Sequence, residues 1–77
     1  MKNKVRYYRQ ELEMTQEQLG KLLGVSRQTV GALERGRFDP PITMAYYISL
    51  ILEQPLNELF DFESIEINIK NGSIERV

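Results

Sequence analysis

The sequence predicts a mainly α-helical fold of five short helices that ends in a short C-terminal β-hairpin. Three observations lead to this prediction. Between residues 3 and 60, apolar residues recur at the three- and four-residue spacing of amphipathic helices. Glycine or proline stands where the second, third and fourth helical segments give way to the next. After Asp61 the pattern changes to alternation around Asn71-Gly72, which is a strong hairpin signal.

Composition excludes several classes of function. A chain of 77 residues has room for one hydrophobic core. It contains neither cysteine nor histidine, so it lacks a thiolate nucleophile, the commonest general base and the commonest metal ligands. The remaining candidates for catalysis are carboxylates, and their spacing does not predict a pair facing one cleft. We therefore expect no enzymatic activity, no catalytic residue, no metal site and no cofactor.

Membrane association is also not expected. The N-terminal segment MKNKVRYYRQ is polar from its start, unlike a signal peptide. The longest apolar run, ITMAYYISLIL, has 11 residues, whereas a transmembrane helix needs about 20. These features predict a cytoplasmic protein.

Charge is distributed unevenly along the chain. Residues 1–37 contain eight basic and four acidic residues, whereas residues 38–77 contain two basic and seven acidic residues. This division favours one face that meets a polyanion and another that is turned away from it, although chance alone can produce such a division.

The first helix is predicted over residues 3–13. Val5, Tyr8 and Leu12 are spaced three and four residues apart and therefore share one helix face. We expect that face to pack against the core.

The second helix is predicted to begin at a capping box formed by Thr15 and Gln18. Gly24 ends it, because glycine readily adopts the left-handed conformation that closes a helix. The residues of this helix expected to face the core are Leu19, Leu22 and Leu23.

The third helix is predicted from Arg27 to about Arg35. Ser26 is a favourable N-cap, and Gly36 is expected to end the helix as Gly24 ends the second. Its core-facing residues are expected to be Val30 and Leu33.

Two further helices complete the prediction. Residues 38–41 form a loop, because two prolines and an aspartate resist helix formation. The fourth helix is predicted over Ile42 to Glu53, and Pro55 is expected at the first position of a fifth helix that runs through Phe60. The expected core residues of the fourth helix are Ala45, Ile48 and Leu52.

Residues 15–35 thus form two short helices joined by a tight turn, which is a helix-turn-helix. Gly20 is expected where the two helices touch and only a small residue fits. Gly31 lies mid-helix, where glycine costs roughly 0.5–1 kcal/mol relative to alanine. With Ala32 it is expected to leave a flat strip for close approach to a large partner; the alternative is tight packing of this helix within its own protein.

The segment TQEQLGKLLGVSRQTVGALERGR resembles the core of the phage-repressor/Cro type (Xre-like) helix-turn-helix transcriptional regulators. The resemblance extends over roughly residues 3–60 and implies a repressor-like fold that binds double-stranded DNA. Glu13 and Glu53 depart from the family, which often has Gly or Asn where its first and fourth helices end. The residues that match the family's spacing are Thr15, Gln16, Leu19, Gly20, Gly24, Val25, Ser26, Val30, Glu34 and Gly36.

Base contacts are predicted at the N-terminal end of the third helix, which a helix-turn-helix inserts into the major groove. Arg27 can donate two hydrogen bonds to guanine, and Gln28 can pair with the edge of adenine. Thr29 can offer its methyl group to thymine or its hydroxyl to a phosphate. Ala32 can offer apolar contact alone.

Phosphate contacts are predicted on both sides of these base contacts. Thr15 and Gln16 open the second helix, where free amides favour an anion. Ser26 opens the third helix, and Arg35 and Arg37 lie at its end. The resemblance also implies that the Gln16 side chain braces the third helix.

The structural residues are predicted to be Gly20, Gly24 and an ion pair. The resemblance implies that Arg9 pairs with Glu34. We therefore expect these two charged side chains to support the fold rather than to contact DNA.

The predicted domain boundaries are residues 1–61 for the DNA-binding domain and residues 62–77 for the hairpin extension. A lone hairpin is marginally stable, so its Ile65, Ile67, Ile69 and Ile74 need a partner surface. Tyr46, Tyr47 and Leu50 on the fourth helix could supply it, either within the chain or across a homodimer.

Two functions follow from this sequence. We expect a homodimeric regulator that binds specific double-stranded DNA and acts as a repressor. The alternative is a protein-interaction or antitoxin-type module that keeps the helix-turn-helix fold without specific DNA binding of its own.

Overall fold

The computed structural model describes residues 1–62 and the backbone of residues 67–70 and 73–76. The mainly helical fold predicted from the sequence is confirmed, with five helices in the described residues. Their bounds are α1 Val5–Glu11, α2 Gln16–Leu23, α3 Arg27–Glu34, α4 Ile42–Leu52 and α5 Leu56–Leu59.

Every helix contributes to one hydrophobic core. The predicted core residues of α3 and α4 are buried, and α1, α2 and α5 each add at least one side chain. Removing this apolar surface from water is the main stabilising term for a domain of this size. The buried apolar residues are Val5, Leu19, Val30, Leu33, Ala45, Ile48, Leu52, Leu59 and Phe60.

The two ends of the helical domain are joined by backbone hydrogen bonds. Asn3 and Phe60 form an antiparallel β-bridge. On either side of it, the amide of Lys4 donates to the Leu59 carbonyl at 2.7 Å and the amide of Asp61 donates to the Lys2 carbonyl at 2.9 Å. This closure holds α1 beside α5 and thereby fixes the edge of the core.

The predicted helix caps are present. The Thr15 hydroxyl accepts a hydrogen bond from the Gln18 amide at 3.0 Å, and the Gln18 side chain accepts from the Thr15 amide at 2.8 Å. The Ser26 hydroxyl accepts from the Thr29 amide at 3.1 Å. Gly24 has a φ of +74°, so the left-handed residue predicted after α2 is confirmed.

The prediction for α1 was wrong at its ends. Asn3 is part of the β-bridge with Phe60, and its side-chain oxygen accepts from the Val5 amide at 3.1 Å, so the helix begins later than expected. Leu12 follows the helix and is 43% exposed rather than packed in the core.

Leu22 was also wrongly predicted to face the core, since 61% of its surface is exposed. α2 packs against α3 and α4 through a narrow stripe in which Leu19 and Gly20 are buried. Because the buried stripe of this short helix is narrow, Leu22 lies beside it in solvent, although its spacing places it on the apolar side of the helix.

The later helices end one residue earlier than predicted, and α5 begins one residue later. Pro55 is the N-cap of α5 rather than its first helical residue. Phe60 has extended backbone angles because it pairs with Asn3. Glu13 and Glu53 have φ values of +54° and +58°, so both occupy the left-handed conformation in which the related family often has Gly or Asn.

The C-terminal segment is described by its backbone alone. β1 (Ile67–Lys70) and β2 (Ser73–Arg76) pair antiparallel, with Ile69 opposite Ile74. The Asn71-Gly72 turn and the packing of the isoleucine side chains lie outside the described residues, so the hairpin built on that turn stays a prediction. In the part of the chain that the structure describes, no helix has the length and apolar character needed to cross a membrane.

Candidate nucleic-acid interface

The turn between α2 and α3 depends on the absence of a side chain at Gly20. A Cβ at this position would lie 2.7 Å from the Val25 carbonyl oxygen, which is too close for a real contact with backbone. The Val25 amide donates to the Gly20 carbonyl at 2.9 Å, so the turn is held against α2. A small residue was predicted here for contact between the two helices; in the structure the contact is between α2 and the turn itself.

The N-terminal end of α3 exposes two side chains. The hydroxyls of Ser26 and Thr29 lie 3.0 Å apart and are engaged with each other and with the helix end. Arg27 and Gln28 are both exposed and form no hydrogen bond or ion pair within the described part of the chain. Their donor and acceptor groups are therefore available to a ligand.

A buried ion pair fixes α3 to α1. The Arg9 guanidinium donates from Nε to Glu34 Oε2 at 2.6 Å and from Nη2 to Oε1 at 3.2 Å. Its remaining Nη1 donates to the Met14 carbonyl at 2.7 Å. The pair implied by the resemblance is thus present, and it joins α1, the following loop and α3.

Gln16 extends this network to α2. Its side-chain Nε2 donates to Glu34 Oε1 at 3.0 Å, so the brace between α2 and α3 that the resemblance implies is present. The positive charge of Arg9 balances the negative charge of Glu34, so the pair next to the Gln16 side chain has no net charge. One of the two Gln16 Nε2–H donors is used, and the second is free for another acceptor.

Gly31 does not form the flat, open strip that was predicted. It is buried, and a Cβ added to it would lie 3.2 Å from Arg35 Nη1 and 3.6 Å from Gln16 Nε2. These two side chains lie over the glycine, so the helix packs within its own protein at this point, and Ala32 beside it is partly buried.

Further basic residues lie at the C-terminal end of α3 and on α2. Arg35 and Arg37 are exposed at the C-terminal end of the helix, and neither forms an ion pair within the described residues. Lys21 lies 3.8 Å from Glu17, and both side chains are largely exposed.

Arg6 is the residue that the sequence analysis missed. A shallow depression brings this α1 side chain together with Thr15 at the N-cap of α2, Gln16 and Glu17 of α2, and Arg27 of α3. Arg6 has no ion-pair partner among the described residues. The charge count included it, but no local motif distinguishes it, because its proximity to α2 and α3 depends on how α1 packs.

Comparisons with known proteins agree with this geometry. A helix-turn-helix family model matches residues 5–59. An uncharacterized HTH-type transcriptional regulator of Methanocaldococcus jannaschii is 44% identical over 66 residues, which cover 86% of this chain and 100% of the relative. The HTH-type transcriptional regulator YgzD of Bacillus subtilis, also uncharacterized, is 38% identical over 63 residues, covering 82% and 96%.

A solved structure has a similar fold. The restriction-modification controller protein C.AhdI from Aeromonas hydrophila superposes with a TM-score of 0.65 at 30% sequence identity, over 74% of this chain and 83% of that one. The matched family model spans all five helices, from the start of α1 to the end of α5. This chain therefore belongs to the Xre-like helix-turn-helix family.

Proposed function

We propose that this protein is a transcriptional regulator that binds specific double-stranded DNA through the N-terminal end of α3. One observation supports this most strongly: Arg27 and Gln28 are exposed and unpaired within the described residues, while a buried network holds the helix that carries them. Membership of the helix-turn-helix family, and relatives named as transcriptional regulators, support the same function.

Base readout is assigned to four residues of α3. Arg27 suits the O6 and N7 acceptors of guanine, and Gln28 suits the N6 and N7 groups of adenine. Thr29 and Ala32 are partly buried and present less polar surface. Because the Thr29 hydroxyl is already engaged by Ser26, we assign Thr29 and Ala32 to apolar contacts such as a thymine methyl.

Phosphate contacts are assigned to residues that flank α3. Thr15, Gln16 and Ser26 lie at the N-terminal ends of α2 and α3, where helix amides attract anions. Arg35 and Arg37 offer guanidinium groups without an internal partner in the described residues. These contacts position the protein on DNA without distinguishing sequences.

A homodimer is the proposed assembly, with residues 62–77 as an additional dimerisation element outside the domain of residues 1–61. The exposed surface of α4 supports it, because Ile42 is 73% exposed and Tyr46, Tyr47 and Leu50 are more than half exposed. Such an apolar surface favours a protein partner. Two-fold pairing would place two α3 helices about 34 Å apart, in successive major grooves of a palindromic operator.

We further propose that the regulator acts as a repressor. C.AhdI, the solved structure with a similar fold, is a controller of restriction-modification. A compact protein that occupies two successive major grooves would obstruct other proteins at the same DNA.

Selection of DNA from a random pool by the purified full chain tests this function. We expect an enriched, palindromic sequence whose affinity falls steeply with salt, because Lys and Arg side chains displace counterions from phosphates. An enriched sequence bound with shallow salt dependence would contradict the proposed phosphate contacts. No enrichment by a folded sample would instead favour the protein-interaction or antitoxin-type module.

A further inference from the structure

Gly31 lies in the middle of α3 although its backbone does not need glycine. The two glycines with positive φ in the described residues are Gly24 and Gly36, so Gly31 has an ordinary helical conformation that any residue can adopt. Alanine would favour the helix more strongly at this position. The backbone therefore does not explain the glycine, and the side chains that surround it do.

Two side chains, one from α2 and one from the C-cap of α3, approach Gly31. Arg35 Nη1 and Gln16 Nε2 both lie within 3.6 Å of the point that a Cβ would occupy. A methyl group here would be 3.2 Å from the guanidinium, which is tighter than about nine in ten observed Cβ contacts. The missing side chain therefore leaves these two polar groups space over the same point of α3.

Both groups can still donate hydrogen bonds. Gln16 Nε2 uses one donor on Glu34, at 3.0 Å, and keeps a second. Arg35 is exposed and forms no ion pair or hydrogen bond with its side chain in the part of the chain that the structure describes. The neighbouring Glu34 carboxylate is balanced by Arg9 at 2.6 Å, so the Arg35 charge is not neutralised by it.

We infer that Gly31 is a positioning residue for DNA binding, because it lets the Gln16 amide and the Arg35 guanidinium bind one and the same phosphate. This inference rests on the proposed function. A phosphate presents several acceptor oxygens, so two donors that approach the same point of the helix surface, one of them charged, can bind it together. Gly31 itself is buried and acts only through the two side chains above it.

Gly31→Ala tests this role because stability and DNA affinity should change in opposite directions. The contact at 3.2 Å is with the far end of a flexible, exposed side chain, which can move aside. We expect the melting temperature of the full chain to rise by about 2–8 °C, since alanine favours the helix. DNA affinity should fall about 3- to 10-fold, because the added methyl group displaces the Arg35 guanidinium from its place above the helix.

The loss of DNA affinity in Gly31→Ala should be of the kind expected when a phosphate contact is removed. It should be equal for the enriched operator and for unrelated DNA, and the slope of log K against log salt should become shallower by up to about 1. A merely structural change in α3 would not alter that slope. Glu53→Gly is the matched control: it relieves the left-handed φ of +58° at the end of α4 and should raise the melting temperature without loss of affinity.

Gly31→Ala is also tested in a chain that already carries Arg35→Ala. This comparison distinguishes an effect through Arg35 from direct obstruction of DNA by the added methyl group. If Gly31 acts through Arg35, adding Gly31→Ala to Arg35→Ala should cause little further loss of affinity. An equal loss in both backgrounds would show that the methyl group itself blocks DNA and would overturn the inference. Three other results would also overturn the inference: an unchanged DNA affinity of Gly31→Ala, a lowered melting temperature of this variant, or a loss of affinity confined to one operator base pair.

Failure of this inference can be distinguished from failure of the proposed function. If the unaltered chain binds DNA and Gly31→Ala binds it equally well, the inference alone is wrong. If the unaltered, folded chain has no DNA affinity, the proposed function and this inference are both wrong.

Discussion

The Arg9 guanidinium on α1 and the Glu34 carboxylate on α3 form a buried ion pair in which Nε lies 2.6 Å from Oε2. Their side chains are 8% and 3% exposed; Arg9 also donates to the Met14 carbonyl, and Glu34 also accepts from the Gln16 side chain. Breaking such a pair leaves one charge buried without a partner, which is far more costly than losing an exposed pair. The orientation of α3 therefore depends on a residue of α1.

The first prediction is that Arg9→Met destabilises the fold by about 3–5 kcal/mol, because Glu34 remains buried without its counter-charge. Urea denaturation measures this change. Lys21→Ala is the control, since the Lys21 and Glu17 side chains are exposed and 3.8 Å apart, and removal of an exposed pair costs less than ~1 kcal/mol. Equal, small effects of both substitutions would contradict the structural importance of the Arg9 pair.

The second prediction concerns Gly24, whose φ is +74°. Nothing lies within 4 Å of a Cβ added there, so a substitution acts through backbone strain alone. Gly24→Val should destabilise the fold by about 1–2 kcal/mol or more, because a β-branched residue resists this conformation. Gly24→Asn should cost clearly less, since asparagine tolerates it. Thermal unfolding compares them, and equal melting temperatures would mean that the turn tolerates any residue.

The third prediction concerns pH and the contact between Tyr8 and Glu58. The Tyr8 hydroxyl donates to Glu58 Oε1 at 2.7 Å, and the Lys4 ammonium lies 3.3 Å from the same oxygen. The hydrogen bond from Tyr8, followed by that from Lys4, lowers the pKa of Glu58 from its ordinary 4.5. The same bond, with some burial, raises the pKa of Tyr8 to about 12.

The unaltered protein should therefore be more stable than Tyr8→Phe at pH values between the folded-state pKa of Glu58 and that of Tyr8. A lowered carboxyl pKa stabilises the fold above pH 4.5, and this contribution is lost as the pH falls through the folded-state value. The contribution of Tyr8 is present below pH 10 and lost as the pH rises through about 12. Melting temperatures of both proteins across this range measure the difference, and a difference that does not change with pH would contradict the assignment.

The fourth prediction concerns residues 63–77. A chain that ends at Phe62 should keep its five helices, because the buried core lies within residues 1–60. It should shift toward monomer and bind operator DNA more weakly if the C-terminal segment supports the dimer. Sedimentation of both chains, with circular dichroism to check helix content, measures this. A truncated chain that remains fully dimeric would place the whole interface on the helices.

Local sequence signals predicted most of the helices and their caps. Thr15, Ser26 and Gly24 each act through hydrogen bonds or backbone angles within a few residues, so their roles can be recognised in sequence. The buried residues of α4 follow helical spacing because the core covers one side of that helix. The ion pair of Arg9 with Glu34 came from the family resemblance, since 25 residues separate the partners.

Sequence reasoning was wrong where long-range packing decides. The β-bridge between Asn3 and Phe60 shortens both α1 and α5, and nothing near either residue indicates it. Gly31 was interpreted from its own helix, whereas its environment is set by Gln16 of another helix and by the Arg35 side chain that folds back over it. Arg6 was missed for the same reason, because its proximity to the interface depends on how α1 packs.

Base recognition by α3 is the central claim, and the most direct test is the affinity of single variants for an operator and its single base-pair substitutions. Gln28→Ala and Arg27→Ala should each lose about 1–3 kcal/mol on the operator and cease to discriminate at one position. Arg37→Ala should weaken binding to every sequence by the same factor and make the salt slope shallower. If Gln28→Ala and Arg27→Ala instead weaken binding to all sequences equally, these residues do not read bases and the account is wrong.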